Sequence, residues 1–597
     1  MSQVVDQAGR VAIGWTDLRV LLASLRKLLP TATVLGFYWF IVQRASFVDE
    51  GRRYYTLFDD AMISLRFARN LAQGNGLNWN MNEAPVEGFT NPLWTIWMSL
   101  LHFVGLSEAT VGLAVACSSA VLLFATAFIV RSVARRLYPM NDLPATIGFW
   151  GTLVYYPLVF WSLRGMEVGL IAFLLATAVL LALRLQASFT RRDLLILCSV
   201  SAFGLLTRVE FAVPMVVIAG FLFLQCRGKG TYIVLVLGGT MLVVLAALTI
   251  ARLFYYGELL PNTYFLKVAG IGIEERLTHG FWALVFGGVT HLSGLAVLCA
   301  LYVASMWRRL AVSEWLLLAL FASVAAYSAW VGGDAWEDYF FANRYISPAI
   351  PLLLVIAARA AQIVSAYRFR QLLWPICVLL GISCLNLLLD APRGTPDVLR
   401  AAVFFGMAAT LFTVGTRAFS GRTAAWFSTV VLLVSLSLPP MADWLLRGAP
   451  HSAGDAAMSA YGLLLRETTT SDASIAVTWA GAVSYYSQRA SFDELGKTDK
   501  IIAHGPHVAD TFRPGHSKWN LDYSIGELRP DVITGLLVAT AEDIQRIESW
   551  GYVNLIGSCY YLRDSREVDS DRLREGLMEL KANPRLGPYI CPPPMER

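Results

Sequence analysis

The sequence predicts a polytopic α-helical membrane protein with a soluble α/β domain at its C-terminal end. Three observations carry that expectation. Of 597 residues, 56% are hydrophobic and only 15% charged, against about 25% charged in soluble globular proteins. Apolar runs of bilayer-crossing length, about 17–25 residues, recur along the chain and stop near Met441. Basic residues cluster in every second turn between those runs, as the positive-inside bias requires. The net charge of +5 therefore sits in short loops at membrane ends, and no nucleic-acid partner is needed to explain it.

In chain order, residues 1–28 hold Arg10, Arg19, Arg26 and Lys27 and read as a basic amphipathic segment on the cytoplasmic face, without a cleavable signal peptide. About thirteen spans are expected within residues 29–442, near 29–47, 108–131, 144–161, 168–184, 193–207, 211–226, 231–253, 285–306, 313–331, 345–364, 371–389, 400–416 and 424–442. The run at 92–104, with Trp94 and Trp97, is too short to span and is expected to lie at the headgroup level. Counting it as a span would turn the basic turns outward. Those turns hold Arg131, Arg135 and Arg136, then Arg184, Arg191 and Arg192, then Arg227 and Lys229, Arg308 and Arg309, Arg368 and Arg370, and Arg417 and Arg422. Cys117, Cys198, Cys226, Cys299, Cys377 and Cys384 lie in or beside spans and read as small core residues.

The other loops share the opposite face. The first of them, 48–107, contains the longest polar interruption, Tyr54–Pro92, and opens it with the adjacent carboxylates Asp59 and Asp60. From there to Gln73 a helix is expected, because Ala61, Leu65, Ala68 and Ala72 form one apolar stripe. Asp59 and Arg66 share a face of it, and Gly74 ends it. One aspartate would suffice as a helix cap. Two ionisable groups beside a membrane need a further reason. The later outward loops bring Glu87, Arg164, Glu167, Arg208, Glu210, Glu258, Lys267, Asp334, Glu337, Asp338 and Arg344 to the same face. Their joint segregation predicts one polar site over the bundle.

Such a site suits a reaction between a lipid-borne donor and an acceptor in water. One aspartate can act as general base. The second can hold the geometry, share a proton, or help bind a divalent cation (Mg2+, Mn2+ or Ca2+). Arginine and lysine can bind a leaving phosphate. Glu167 with Arg208 and Glu210 reads equally well as a set of structural ion pairs. Pro261 and Asn262 are expected to shape a turn, and His504, His507 and His516 to be loop residues.

Residues 443–597 form the soluble region. Ser474–Tyr485 and Asp531–Ala539 read as strand segments, 541–550 and 571–582 as helices. Asp493, Gly496 and Asp499 of FDELGKTD are expected in a fold turn or acceptor surface, and Cys559 and Cys591 are able to pair in an oxidising compartment.

The loop words TLFDDAMISLRFARNLAQGNGLNWN, PVEGFTNPLW, LRGMEVGL, TRVE, GELLPNTYFLK and VGGD…NRYISPAIPLLL, together spanning residues 50–365, resemble the GT-C class of polyprenyl-phosphate-sugar-dependent bacterial glycosyltransferases. The C-terminal stretch from ASIAVTWAGAVSYYSQRASFDELGKTDKIIAH to RPGHSKWNLDY is similar to the branch that includes mycobacterial terminal β-(1→2)-arabinofuranosyltransferases, although GFTNPLW departs from that branch. The resemblance implies a bacterial inner-membrane enzyme working on the outer face. It would move a sugar, a pentose such as arabinofuranose favoured, from polyprenyl phosphate to a cell-envelope glycan, glycolipid or protein. It also implies that Asp59 and Asp60 are the acidic motif, with Asp59 favoured as base and Asp60 supporting it or ligating a cation. Glu87 would face the same pocket, and Lys267, Arg208 and Arg344 would hold the donor phosphate. Arg66, Arg164, Glu167, Glu210 and Asp334 are further candidates for substrate contact; Arg164 stands where serine is usual. The rival reading, a transporter or lipid-carrier flippase, requires charges buried mid-span and helix breaks at the bilayer centre.

Overall fold

The computed structural model describes residues 15–367 apart from Asn82, Asp338 and Phe340, scattered positions between 426 and 445, and residues 449–594 apart from 510, 511, 537 and 538. The expected spans at 371–389 and 400–416, most of that at 424–442, the turns with Arg368, Arg370, Arg417 and Arg422, Cys377, Cys384 and Asp338 lie outside the described residues.

Among the described residues, four helices are long and apolar enough to cross a membrane: Val111–Leu137, Val168–Ala187, Gly230–Tyr256 and Val312–Trp330. The run expected as one span at 144–161 is two helices, Asp142–Val154 and Tyr156–Leu163, bent by 45°. Tyr155 between them is extended, at φ −63° and ψ 106°, and Pro157 follows in the first turn of the second helix. A proline there cannot donate back, and its ring crowds the carbonyl four residues earlier, so the first helix cannot continue through it. The run at 285–306 is likewise divided, into Ile273–His291 and Ser293–Met306.

The short Pro92–Phe103 helix rises about 18 Å, well under the ~30 Å hydrocarbon thickness. It turns Trp94, Thr95 and Met98 inward and leaves Ile96, Leu100 and Phe103 exposed, an amphipathic pattern suited to an interface.

The first loop begins with a hairpin, β1 (Ser46–Asp49) against β2 (Arg52–Tyr55), closed by Glu50 and Gly51 at φ 44° and 76°. Two positive φ values in a two-residue turn match the right-handed twist of the flanking strands. The helix expected next runs Asp59–Ala72. Gly74 at φ 85° ends it, its N–H bonded to the carbonyl of Leu71, while Asn75 donates to Asn70.

The C-terminal region packs on this loop. The Pro450–Thr468 helix precedes a five-stranded sheet of β3 (Ser474–Val477), β4 (Ala490–Asp493), β5 (Val532–Ile533), β6 (Tyr552–Ile556) and β7 (Cys559–Leu562) in the order β4-β3-β5-β7-β6. β3 runs parallel to β4 and β5, and β7 antiparallel to β5 and β6. The helices expected at 541–550 and 571–582 are Ala541–Ser549 and Ser570–Ala582. The stretch expected as a strand over Ser474–Tyr485 turns after Val477 into the short Ala482–Ser487 helix. Cys559 and Cys591 form a disulfide with Cα atoms 5.4 Å apart. Ala456, Tyr461, Val483 and Tyr486 belong to the same continuous apolar core as Phe58, Leu65 and Trp161. The two halves of the chain share one interior.

Candidate active site

Successive residues on a helix point about 100° apart, so Asp59 and Asp60 cannot serve the same partners. Asp59 turns toward the C-terminal domain. Its carboxylate accepts from the backbone N–H groups of Ala482 (2.8 Å) and Gly481 (3.3 Å), and its own N–H donates to Asp455 (3.1 Å). It therefore caps the Ala482–Ser487 helix from across the interface. Burial pushes its pKa up to about 6, against the opposing pull of Lys497 and the Ala482 N–H. The structure thus turns Asp59, the residue expected as base, onto the C-terminal domain and leaves it out of the cleft lining.

Asp60 faces a cleft. The cleft, with the solvent at its mouth, spans about 610 Å³ of empty space and is lined by Asp60, Ser64, Gly88–Asn91, Met166, Arg208, Thr263, Lys267 and Arg344 of the membrane half, and by Lys497 and Pro514–His516 of the C-terminal domain. Arg344 donates to one Asp60 oxygen at 2.8 Å and Lys497 to the other at 2.7 Å. Burial alone would raise the Asp60 pKa, but Lys497 and Arg344 outweigh it and hold the carboxyl well below the usual range. Arg344 is fixed in turn by Asp334, which accepts from its Nη2 at 2.8 Å and its Nε at 2.9 Å.

Lys267 ends the short Asn262–Lys267 helix at the cleft wall. Among the described residues no carboxylate pairs with it. Burial, with help from Arg344, pulls its pKa down to about 8. The cleft lining thus holds Lys267, Lys497, Arg208 and Arg344 around the Asp60 carboxylate, with Asp334 offsetting Arg344 and Glu167 and Glu210 offsetting Arg208, so that, among the described residues, Lys267 is the cation left for an anionic partner.

Arg208 and Arg344 also border a second, largely apolar pocket of about 550 Å³ among Ile171, Leu175, Phe211, Pro214, Val324 and Pro348. Arg208 reaches Glu167 at 2.7 Å and is also paired with Glu210. Glu167 accepts further from Asn91, at 2.7 Å. The ion-pair reading of this trio describes its geometry, and the trio stands on the wall between the two pockets.

Three expected site residues lie elsewhere. Arg66 is buried against the C-terminal domain: it stacks on Trp79, and its guanidinium donates to the carbonyls of Trp79, Ser484 and Arg489 and to Asn80 and Ser491. All its donors are taken by protein. Glu87 turns away from the cleft to Arg252, at 2.7 Å. Arg164, 1% exposed, bonds the carbonyls of Thr56 and Leu57 and pairs with Asp455 at 2.5 Å. Each was expected to touch substrate, but Arg66 and Arg164 are consumed in holding the first loop and its neighbour to the C-terminal domain, and Glu87 in pairing with the Gly230–Tyr256 helix.

Sequence reasoning passed over Lys497 and read His516 as a loop residue alone. Both come from loops of the soluble region. The FDELGKTD loop places Lys497 because the Asp493 carboxylate accepts from the N–H groups of Leu495 (3.0 Å) and Thr498 (2.9 Å), an Asx-type turn. Asn262 of the membrane half donates to Gly496 O at 2.7 Å. That contact is the role of the ELLPNTY word, besides its turn. His504 stacks on Phe265, with ring centroids 3.9 Å apart.

The acidic pair does not fit a shared divalent cation. Both Asp60 oxygens are occupied by cations and those of Asp59 by backbone N–H groups. Among the described residues no three His, Cys, Asp or Glu side chains converge as a metal site.

A family model described as a domain of unknown function (DUF8728) matches residues 449–570. The crystal structure of ArnT from Cupriavidus metallidurans bound to undecaprenyl phosphate superposes with a TM-score of 0.54 at 13% identity, over 81% of this chain and 86% of that one. The two chains share a fold. By sequence, the terminal beta-(1->2)-arabinofuranosyltransferase of Mycobacterium tuberculosis is 29% identical over 220 residues, 35% of this chain and 35% of the relative. The match thus spans about a third of that relative's length.

Proposed function

We propose that this chain is a glycosyltransferase that moves a sugar from a polyprenyl-phosphate donor to a hydroxyl of a cell-envelope glycan, glycolipid or protein on the outer face of the bacterial cytoplasmic membrane. The observation that carries the reading is the pair of pockets joined at Arg208 and Arg344: one largely apolar, the other lined by four basic side chains and a single carboxylate. The donor phosphate lies at Lys267, Arg344 and Lys497, where charge gained by the leaving oxygen is stabilised. The prenyl chain enters the apolar pocket. Asp60, kept ionised, faces the anomeric carbon and stabilises the positive charge that builds there as the bond to phosphate breaks.

The fold likeness to ArnT and the sequence relation to an arabinofuranosyltransferase support the same class, and the latter favours a pentose such as arabinofuranose. The C-terminal domain, in this reading, sits outside the membrane and forms one wall of the cleft rather than a remote acceptor dock.

The test is transfer by the purified full chain in nanodiscs. Polyprenyl-phosphate arabinofuranose is the donor and a synthetic arabinofuranoside the acceptor. Wild type transfers and Asp60→Asn does not. Lipid-carrier movement across liposome bilayers without any transfer would instead establish the flippase reading and end this one.

A further inference from the structure

Lys267 stands on a helix too short to hold itself. Asn262–Lys267 has six residues, and isolated helices under about 12 residues are marginal in water. The contacts that fix this one come from the C-terminal domain. At its first residue the Asn262 amide donates to the carbonyls of Gly496 (2.7 Å), Lys497 (3.1 Å) and Asp499 (3.1 Å). In its middle the Phe265 ring lies on His504. At its far end stands Lys518, from the RPGHSKWNLDY stretch. The Lys518 Nζ donates to Phe265 O at 3.0 Å, Ala269 O at 3.1 Å and Ala503 O at 2.9 Å.

Lys518 is 2% exposed, and among the described residues no carboxylate pairs with it. Three carbonyls around one nitrogen require three hydrogens, which the ammonium alone carries. A buried charge without a counter-ion is costly. Here it satisfies carbonyls left open near the ends of two short helices, Phe265 in one and Ala503 in Lys500–His504. Phe265 and Ala269 flank Lys267 on either side in the chain, so the clamp brackets the residue whose side chain lines the cleft. Lys518 itself is not in the cleft lining. The turn that delivers it also touches Lys267. Ser517 Oγ closes that turn by accepting from Arg513 N and donating to Arg513 O, each at 2.9 Å. A Cβ on Gly515, at φ 77°, would lie 3.4 Å from Lys267 Cε.

We propose that Lys518 is a positioning residue for donor binding: its ammonium fixes the backbone on both sides of Lys267 and so sets the Lys267 ammonium where the donor phosphate is held. The inference rests on the glycosyltransferase reading and adds to it the residue through which the C-terminal domain places a cation of the membrane half. An apolar side chain at 518 leaves three carbonyls without their donor, frees the segment around Lys267 and withdraws its ammonium from the phosphate. A lysine that merely filled the interface would bear on the stability of the whole chain, and its loss would weaken binding whether or not Lys267 were present.

The experiment is a double-mutant cycle on the full chain in nanodiscs. The Kd for undecaprenyl phosphate is read by native mass spectrometry, with the melting temperature measured beside it. Lys518→Met weakens binding by about tenfold, within the range for side chains coupled in one network. Lys518→Arg, which keeps the charge and the donors, recovers part of that loss, and it carries the cycle if Lys518→Met does not fold. Lys267→Met alone weakens binding, and adding Lys518→Met to it changes Kd by less than about threefold, because the cation that Lys518 places is already gone. An equal loss from Lys518→Met with and without Lys267 overturns the proposal and leaves the glycosyltransferase reading intact. So does a Kd in Lys518→Met within threefold of wild type, and so does failure of both Lys518 variants to fold, which makes it a folding residue. If Lys267→Met binds as tightly as wild type, or wild type does not bind at all, the donor site is misplaced and both readings fall.

Discussion

Replacing Lys497 by methionine tests whether the C-terminal domain helps to bind the donor or merely rests against the membrane half. The ammonium lies 2.7 Å from Asp60, and the two side chains are only 16% and 17% exposed. At an effective dielectric of about 20, two unit charges some 4 Å apart interact by roughly 4 kcal/mol. A phosphate seated between Lys267, Arg344 and Lys497 would lose about that much with one cation. Relief of the desolvation that the ammonium now suffers offsets about half. The net of about 2 kcal/mol corresponds to a roughly 30-fold rise in Kd. The assay is titration of the purified variant with polyprenyl phosphate by native mass spectrometry, with Lys497→Arg as the charge-retaining control. Thermal unfolding alongside it separates loss of binding from loss of docking. A Kd within threefold of wild type, in a protein of unchanged melting temperature, would refute the donor role of Lys497.

Asp59→Asn should keep transfer within about tenfold of wild type, because a neutral amide oxygen can still cap the Ala482–Ser487 helix at a cost near 1 kcal/mol; kinetics of this variant beside Asp60→Asn checks it. Donor affinity should be pH-dependent through Lys267. Its folded pKa, lowered to about 8 by burial and by Arg344, leaves the charged form dominant below pH 8, so affinity is full there and falls up to about tenfold per unit above it. Lys267→Arg should abolish that fall, as binding curves from pH 7 to 9.5 will reveal. Arg66→Met should loosen the domain interface, at about 1–3 kcal/mol for a buried acceptor left unsatisfied, visible as faster proteolysis near residue 449. For topology, Ala84→Cys should react with an impermeant maleimide on whole cells and Arg309→Cys should not; both residues are exposed.

What the sequence could disclose was whatever local periodicity and charge geography control. The Asp59–Ala72 helix was legible from its apolar stripe and its terminal glycine, and the convergence of Asp60, Arg208, Lys267 and Arg344 from the segregation of charged loops. The choice between two neighbouring aspartates was not. Their backbone environment is the same, and the distinction lies in Gly481 and Ala482, more than four hundred positions along the chain. Arg66 and Arg164 show the same limit, since their partners among residues 455–491 leave no mark in the sequence beside them. The bend within the span expected at 144–161 was hidden for a different reason: a proline inside an apolar run does not change mean hydropathy but breaks the helix, as at Pro157.

The misses at Asp59, Arg66 and Arg164 share one cause. The domain that looked like an accessory is built into the first loop. Gly481 sits so close to Asp59 that a Cβ there would lie 1.8 Å from the Asp59 carbonyl oxygen, and a Cβ on Gly88, in the cleft wall, would lie 2.5 Å from Thr498. Such approaches leave no room for the two halves to hinge freely while the cleft keeps its shape. The cations that the anion site needs are therefore divided between both halves, Lys267 and Arg344 on one and Lys497 on the other. It follows that neither half should bind the donor headgroup with the full chain's affinity, and that Gly481→Ala, packed on Asp59 and not part of the cleft lining, should weaken donor binding by displacing Lys497 from Asp60.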